Sequence, residues 1–423
     1  MLTKIKIVKH NNIKNKVLDF FSGTILRIFS IISRLMLVMI LLNKLTLYEF
    51  GQFGLITVTA AYFIIFCGFE LHNYTSKELL RYKIQKWGFI FINRLYFSIA
   101  TFSIFFFLII FFNKYFALNL NDIYLIFFII FLEHILMEIN RVFYIKGDYS
   151  RYILLDFLRK SLLPFVIMIL YLIDYKINLE LVLKVWFFST LLNFIISFYF
   201  LNKIEFKMSK KDYFINIKFL LKGVKKSAFL LISLLMSTLV FVIDRYFIKI
   251  FYDEIILSSY IFFIAISLVP LSITDSAVIT KYFRVLLLNS KKNIIKFKLN
   301  FFEALKVTIF IILSFDLICF FTIDKLIIIS GKEIILENIH FLYFLLGIGN
   351  LICINKLLEL CLYSFDKNFN ILKSNIFLIM LFLITIIFTS FYNYDINVFL
   401  SGFLFSSLIS LIYKIKCVFK NLI

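Results

Sequence analysis

The feature that most constrains this chain is its succession of apolar runs, each near the 20 or so residues that a helix needs to cross a bilayer. Twelve can be traced: Val17–Leu42, Phe50–Leu71, Phe89–Phe112, Ile123–Phe143, Ile153–Ile173, Leu179–Leu201, Phe229–Phe251, Ile255–Val278, Phe301–Ile323, Ile339–Tyr363, Leu372–Phe391 and Ile396–Tyr413. No soluble core needs so much unbroken apolar length. The composition agrees, with 62% hydrophobic residues against about 45–50% in soluble domains. Only 2 prolines and 11 glycines interrupt 423 residues, which suits long helices on short loops. No stretch alternates as an outer-membrane strand would. The expected fold is therefore all-α, a polytopic membrane protein of about 12 transmembrane helices.

The lysines set an expected orientation. They crowd the N-terminal segment (Lys4, Lys6, Lys9, Lys14, Lys16), the break after the second run (Lys77, Arg81, Lys83, Lys86) and the long break 202–227. They are sparse in the alternate breaks, where Lys44, Lys114 and Lys176 stand nearly alone. Positive charge stays cytoplasmic, so both termini are expected there, with an even number of spans and short outer loops. The same pattern accounts for the net charge of +21 without nucleic acid. The run behind the N-terminal lysines is too long for a signal-peptide core and lacks a small-residue cleavage site, so it reads as an uncleaved first helix. Residues 1–201 and 228–423 then form two six-helix halves, joined by a basic cytoplasmic linker at 202–227. Both halves start on the same side, which implies a pseudo-two-fold axis along the membrane normal. A faint echo supports it: Gly51 and Phe53 lead into the second run as Ser258 and Tyr260 lead into the eighth.

Charges inside the runs carry the functional information. Arg27 and Arg34 lie seven residues apart, on one face of the first helix with Gly23 and Ser30. Each guanidinium facing lipid would cost about 2.5–3.5 kcal/mol, so this face is expected to line a hydrated or anionic cavity. The alternative is a structural arginine paired to a neighbouring carboxylate or snorkelling to headgroups. Asp244 and Arg245 are adjacent in the seventh run and project about 100° apart. They do not simply pair with each other, and one faces the cavity or the other half. Glu133, His134 and Glu138 make the fourth run polar. His134 reads either as a proton relay or as a hydrogen-bonded structural residue, and Glu138 has Arg141 within local reach. Asp275, Asp316 and Glu359 are further isolated acids, candidates either for ion coupling or for helix pairing. The five cysteines, Cys67, Cys319, Cys353, Cys361 and Cys417, show neither metal spacing nor a disulfide framework. No phosphate loop, zinc-protease motif or nucleophile elbow occurs, so no cofactor, metal or catalytic site is expected.

The segments Glu49-Phe50-Gly51-Gln52-Phe53-Gly54, Cys67-Gly68-Phe69-Glu70 and Thr75-Ser76-Lys77-Glu78-Leu79, behind an arginine-bearing first span, resemble the start of polysaccharide-exporting flippases. These are the Wzx-type O-antigen and capsule repeat-unit flippases of the MATE-like superfamily. Asp244-Arg245 followed by Ser258-Ser259-Tyr260 resembles the Asp-Arg seventh span of that family. The chain departs from it in lacking a Gly-Pro before Glu49 and an acid before Gly68. The resemblance implies a flippase of the bacterial inner membrane, involved in lipopolysaccharide or other polysaccharide biosynthesis. Its substrate would be an undecaprenyl-diphosphate-linked oligosaccharide. A polysaccharide polymerase and a chain-length regulator would be its partners. It makes Arg27, Arg34, Asp244 and Arg245 the substrate-binding candidates. Two other readings stand beside it: a cation-coupled drug or metabolite antiporter of the same fold, and a membrane-embedded polymerase or glycosyltransferase. The short outer loops argue against the last.

Overall fold

A computed structural model describes residues 13–82, 87–116, 120–204, 214–290, 292–392 and 395–422. The N-terminal lysines Lys4, Lys6 and Lys9, Lys83 and Lys86, and residues 205–213 of the expected linker lie outside them, as do the surroundings of Gly23 and the side chains of Lys14, Lys16, Lys77, Arg81 and Lys114. The described residues form helices and no strand. In order they are α1 (Ile13–Lys44), α2 (Leu47–Gly68), α3 (Leu71–Arg81), α4 (Trp87–Phe116), α5 (Leu120–Lys146), α6 (Tyr149–Leu172), α7 (Leu179–Asn202) and α8 (Ile217–Phe251). Then come α9 (Glu254–Ser267), α10 (Val269–Thr274), a π turn (Asp275–Ile279), α11 (Thr280–Asn289), α12 (Ile294–Ser330), α13 (His340–Ser364), α14 (Asn368–Tyr392) and α15 (Ile396–Leu422).

In lipid a helix satisfies its own backbone, so these runs have no alternative. The short polar breaks supply the ends. Thr46 and Glu49 form a reciprocal capping box at the start of α2. Asn178, Asn216, Asp253 and Asn293 each accept a backbone N–H from the first turn of α7, α8, α9 and α12. Gly331, at φ +69°, ends α12.

Among the described residues, eleven helical segments have the length and composition to cross a membrane. The fourth run, α5, is among them despite Glu133, His134 and Glu138. It is the fifth, α6, that falls short in composition. Arg151, Asp156, Arg159 and Lys160 dilute it, though its 24 residues rise about 36 Å. The chain is a multi-pass membrane protein.

Packing repeats between the halves. α1 lies on α6 as α8 lies on α14, α5 on α7 as α13 on α15, and α2 on α5 as α9 on α13. The halves meet along α2, which packs on both α8 and α9. The echoing segments abut there: a Cβ on Gly51 would stand 3.0 Å from Leu257, and one on Gly54 would run into the Ile261 side chain.

The apolar cores show how the halves engage. Near the α1–α2 turn one continuous core takes in Leu41, Leu42, Leu45 and Phe50 from the first half and Phe247, Leu257, Tyr260 and Phe262 from the second. Toward the other end, marked by α3, each half has its own. Leu79, Trp87, Ile139 and Phe143 belong to the first, and Tyr282, Phe297, Leu357 and Leu411 to the second. The bundle is sealed at the α1–α2 end, whereas at the α3 end the two larger cores stand apart and a smaller cluster of Leu71, Tyr74 and Leu220 joins α3 to α8.

Candidate functional site

A belt of charged side chains lies at mid-bundle, where the shared core gives way to the separate ones. Its first wall is built from α1, α5 and α6. On α6, Asp156 holds Arg159 at 3.1 Å and Lys160 at 2.6 Å, one turn away on the same face. Arg159 also reaches Glu133 of α5 at 3.8 Å. Ser33 of α1 contacts Ser161 of α6 at 3.3 Å, which sets the α1 face carrying Arg34 beside this cluster. Arg34 stays exposed, within electrostatic reach of Arg159, Asp156 and Glu133, yet makes no hydrogen bond or ion pair to a described residue. With Arg27 this wall carries four cationic groups (Arg27, Arg34, Arg159, Lys160) against two carboxylates (Glu133, Asp156).

The second wall is the broken eighth span. Its helix stops at Ser267, restarts with Pro270 in its first turn, and passes into the π turn at Asp275. Gly349 of α13 makes room for the break, because a Cβ there would strike the Ser267 carbonyl. Asp275 pairs with Lys356 of α13 at 2.7 Å, with side chains 39% and 44% exposed, so the pair is only partly covered by protein. Asp316 of α12 accepts from Asn350 at 2.7 Å. The other carboxylate oxygens, Asp275 Oδ1 and Asp316 Oδ1, have no partner among the described residues. This wall has one ammonium against two carboxylates.

The walls touch through main-chain carbonyls of the π turn region. Arg27 Nη1 donates to the Ser276 carbonyl at 2.6 Å. Tyr144 of α5 donates to the Thr280 carbonyl at 3.5 Å. A π turn loosens the regular ladder and is a frequent companion of functional sites.

Asp244 and Arg245 are not part of this belt. Both are buried in the sealed seam near the end of α8. Asp244 accepts from Tyr260 at 2.6 Å and from the Arg245 N–H at 2.5 Å. Arg245 reaches across to the Gly54 carbonyl at 3.4 Å. Arg245 is six residues, about 9 Å, from the end of its helix, whereas Arg27 is about 25 Å from the end of α1.

His134 and Glu138 belong to a separate buried network near the α3 end. His134 Nε2 meets Ser98 Oγ at 2.9 Å and fills the space above Gly68. Glu138 takes Arg94 on one oxygen and Arg141 on the other, the latter at 2.5 Å. Glu70 and His72 flank it in the α2–α3 turn, where Phe69 and Glu70 both adopt positive φ. Burial pushes the Glu70 carboxyl up, against the opposing pull of Arg141, Asn73 and Arg94. Burial, then the charges of Arg141 and Arg94, hold the His72 imidazole well below its usual range. Glu359 is tied to Lys414 at 2.8 Å and to Asn375 at 3.2 Å, knitting α13, α14 and α15.

Of the candidates, Arg27, Arg34, Glu133, Asp275 and Asp316 therefore face the belt. Sequence reasoning missed Asp156, Arg159 and Lys160. Their signal was present as acid-x-x-base-base spacing inside an apolar run, whereas Lys356 stands out in the tenth run beside Asn350, Asn355 and Glu359.

No protein-family model and no curated protein matches the sequence. Solved structures do. An inward-facing multidrug resistance MATE family transporter of the MOP superfamily superposes with a TM-score of 0.73 at 12% identity, over 94% of this chain and 97% of that one. An outward-facing structure of such a transporter gives 0.55 at 13% identity, over 89% and 86%. A MOP superfamily transporter from Pyrococcus furiosus, described by the reversed polarity of its binding pocket, gives 0.60 at 11% identity, over 96% and 94%. The chain has the fold of these membrane transporters.

Proposed function

We propose that this chain is an alternating-access flippase that moves an undecaprenyl-diphosphate-linked oligosaccharide from the inner to the outer leaflet of the bacterial cytoplasmic membrane. The observation that carries this reading is the cationic excess of the α1–α5–α6 wall, with Arg34 exposed and without a partner among the described residues. A diphosphate between a lipid tail and sugars is anionic and strongly hydrated. It needs guanidinium donors in bidentate geometry inside a wet passage, while its tail stays in the bilayer. Asp156 and Glu133 hold Arg159 in place and leave Arg27 and Arg34 to meet the anion.

The contacts between and within the halves suit a rocking motion. Within each half, ion pairs such as Glu138–Arg94, Glu133–Arg159 and Glu359–Lys414 join neighbouring helices and stiffen the body. Across the seam, single hydrogen bonds run from Ser258, Arg245 and Asn43 to the carbonyls of Leu47, Gly54 and Ser330. Each of those contributes about 1 kcal/mol, little enough to break in a cycle. The lysine distribution supports a cytoplasmic α3 end and cytoplasmic termini.

A cation-coupled drug or metabolite antiporter is the second reading, favoured by the unpaired oxygens of Asp275 and Asp316 on the opposite wall. Deleting the gene and analysing surface polysaccharide with lipid-linked oligosaccharide separates the two. Loss of surface polymer, with complete repeat units trapped on the inner leaflet, supports the flippase. Single capped repeats at the surface point to a polymerase. An unchanged surface transfers the assignment to the antiporter.

A further inference from the structure

Away from the charged belt, α8 and α14 pack together in the second half, and at the α3 end their outer face is basic. α8 holds no carboxylate before Asp244, and α14 holds none. Lys222 and Lys225 stand one turn apart on the exposed face of α8, beside Leu221, which is 63% exposed. Neither lysine makes an ion pair or hydrogen bond to a described residue. One turn further, Phe229 meets Phe369 of α14 edge-on, with ring centres 6.0 Å apart and the residues 50% and 53% exposed. The ammonium of Lys373, also exposed, lies 4.7 Å from the centre of the Phe369 ring. Asp366 and Lys367, adjacent in the turn before α14, add one charge of each sign.

Helix length sets the depth of this patch. Counted from Phe251 at the far end of α8, Phe229 lies about 33 Å away, Lys225 about 39 Å and Lys222 about 44 Å. The hydrocarbon of a bilayer is about 30 Å thick, and about 40–45 Å with its headgroups. Phe229 thus stands at the hydrocarbon edge, with Lys225 and Lys222 at headgroup depth beyond it. Lys373 is about 29 Å from Tyr392 at the far end of α14, and it reaches back over Phe369 toward the same level.

We propose that this patch binds the headgroup of an anionic phospholipid. Three ammonium groups with no carboxylate on either helix face attract a phosphodiester and offer its oxygens N–H donors. The exposed Leu221, Phe229 and Phe369 meet glycerol and acyl chain, which a free phosphate lacks, so the apolar share of the patch selects a lipid. Such binding clamps α8 to α14 and does not depend on which solute crosses the belt.

The test is thermal unfolding of the full-length protein in dodecyl maltoside, titrated with dioleoylphosphatidylglycerol. Controls are dioleoylphosphatidylcholine, which has the same chains but no net charge, and inorganic phosphate. Phosphatidylglycerol should raise Tm saturably, and neither control should. Lys222→Gln, Lys225→Gln and Lys373→Gln together should raise the half-saturating lipid concentration by about tenfold or more, the scale of lost charge-assisted hydrogen bonds. These lysines are exposed and tie no helices together, so the variant should keep the parent Tm without lipid. Lys292→Gln, Lys296→Gln and Lys298→Gln together remove equal charge around the start of α12 and should leave half-saturation near the parent value. No saturable shift, an equal shift from phosphatidylcholine or phosphate, normal binding by the α8–α14 variant, or an equal loss in the α12 variant would overturn the proposal.

Discussion

Gly54 is where the sealed end can be pried open by one methyl group. A Cβ there would lie 2.7 Å from Ile261 Cγ2 and 2.8 Å from Cγ1, with Cδ1 nearer still. Ile261 is 6% exposed and β-branched, so it has no easy rotamer escape. Overpacking of this kind costs about 1–3 kcal/mol. The contact exists only while α2 lies on α9. Gly54→Ala should therefore destabilise the sealed arrangement relative to one in which α2 and α9 part, shifting their ratio by roughly 5- to 160-fold at about 0.59 kcal/mol per e-fold. Spin labels at Tyr48→Cys and Ile250→Cys, 53% and 71% exposed on opposite sides of the seam, report the opening as a longer inter-label distance. Four native cysteines are buried, and Cys417→Ser removes the fifth from the background. Ile261→Ala should restore the sealed distance in the Gly54→Ala background, because each change vacates what the other fills. The reasoning fails if Gly54→Ala leaves the distance distribution unchanged, or if the double variant is as open as the single one.

Arg34→Gln should lower transport of the lipid-linked solute roughly tenfold or more, the scale of a charge-assisted hydrogen bond, while leaving Tm within about a degree, since Arg34 ties nothing together. Arg159→Gln should instead unfold the first half more readily, by about 3 kcal/mol, because Asp156 and Glu133 lose a shared partner; chemical or thermal melts in detergent measure this. His72 folds with its pKa depressed and titrates at about 6.5 when unfolded, so the stability it contributes is present above that pH and is lost as pH falls. Between pH 6.5 and 5.5, His72→Gln should therefore lose up to about 1 kcal/mol less stability than the parent chain, and identical pH slopes for the two would contradict the assignment.

Where the membrane dictates structure, the chain was readable in advance. Uninterrupted apolar length forces helices, and polar breaks such as Thr46–Glu49 end them by capping. Arg27 and Arg34 were legible for the same reason, as charges that lipid cannot accept. What lay hidden was which helix face meets which neighbour. Glu133 and Glu138 sit five residues apart in one run, yet Glu133 turns to Arg159 of α6 and Glu138 to Arg94 of α4. Asp244 and Arg245 read as one element with Arg27, but depth along the bundle separates them. The π turn at Asp275–Ile279 leaves no clear mark in Thr274-Asp275-Ser276-Ala277. The same holds for α3, whose entry through positive φ at Phe69 and Glu70 depends on the network beneath it rather than on glycine.

Most of the hydrogen bonds described across the seam end on peptide oxygens: those of Leu47, Gly54, Ser276, Thr280 and Ser330. Such acceptors survive any replacement at their own position that keeps the backbone path. The joint is thus written in one partner's side chains and read by the other's skeleton. Mutations at Ser276 or Thr280 have no reciprocal change to demand of Arg27 or Tyr144. Among descendants of this gene the polar contacts of the seam can then drift independently, leaving paired substitutions there to packing contacts such as Gly54 with Ile261, while the ion-paired interior of each half should show them commonly.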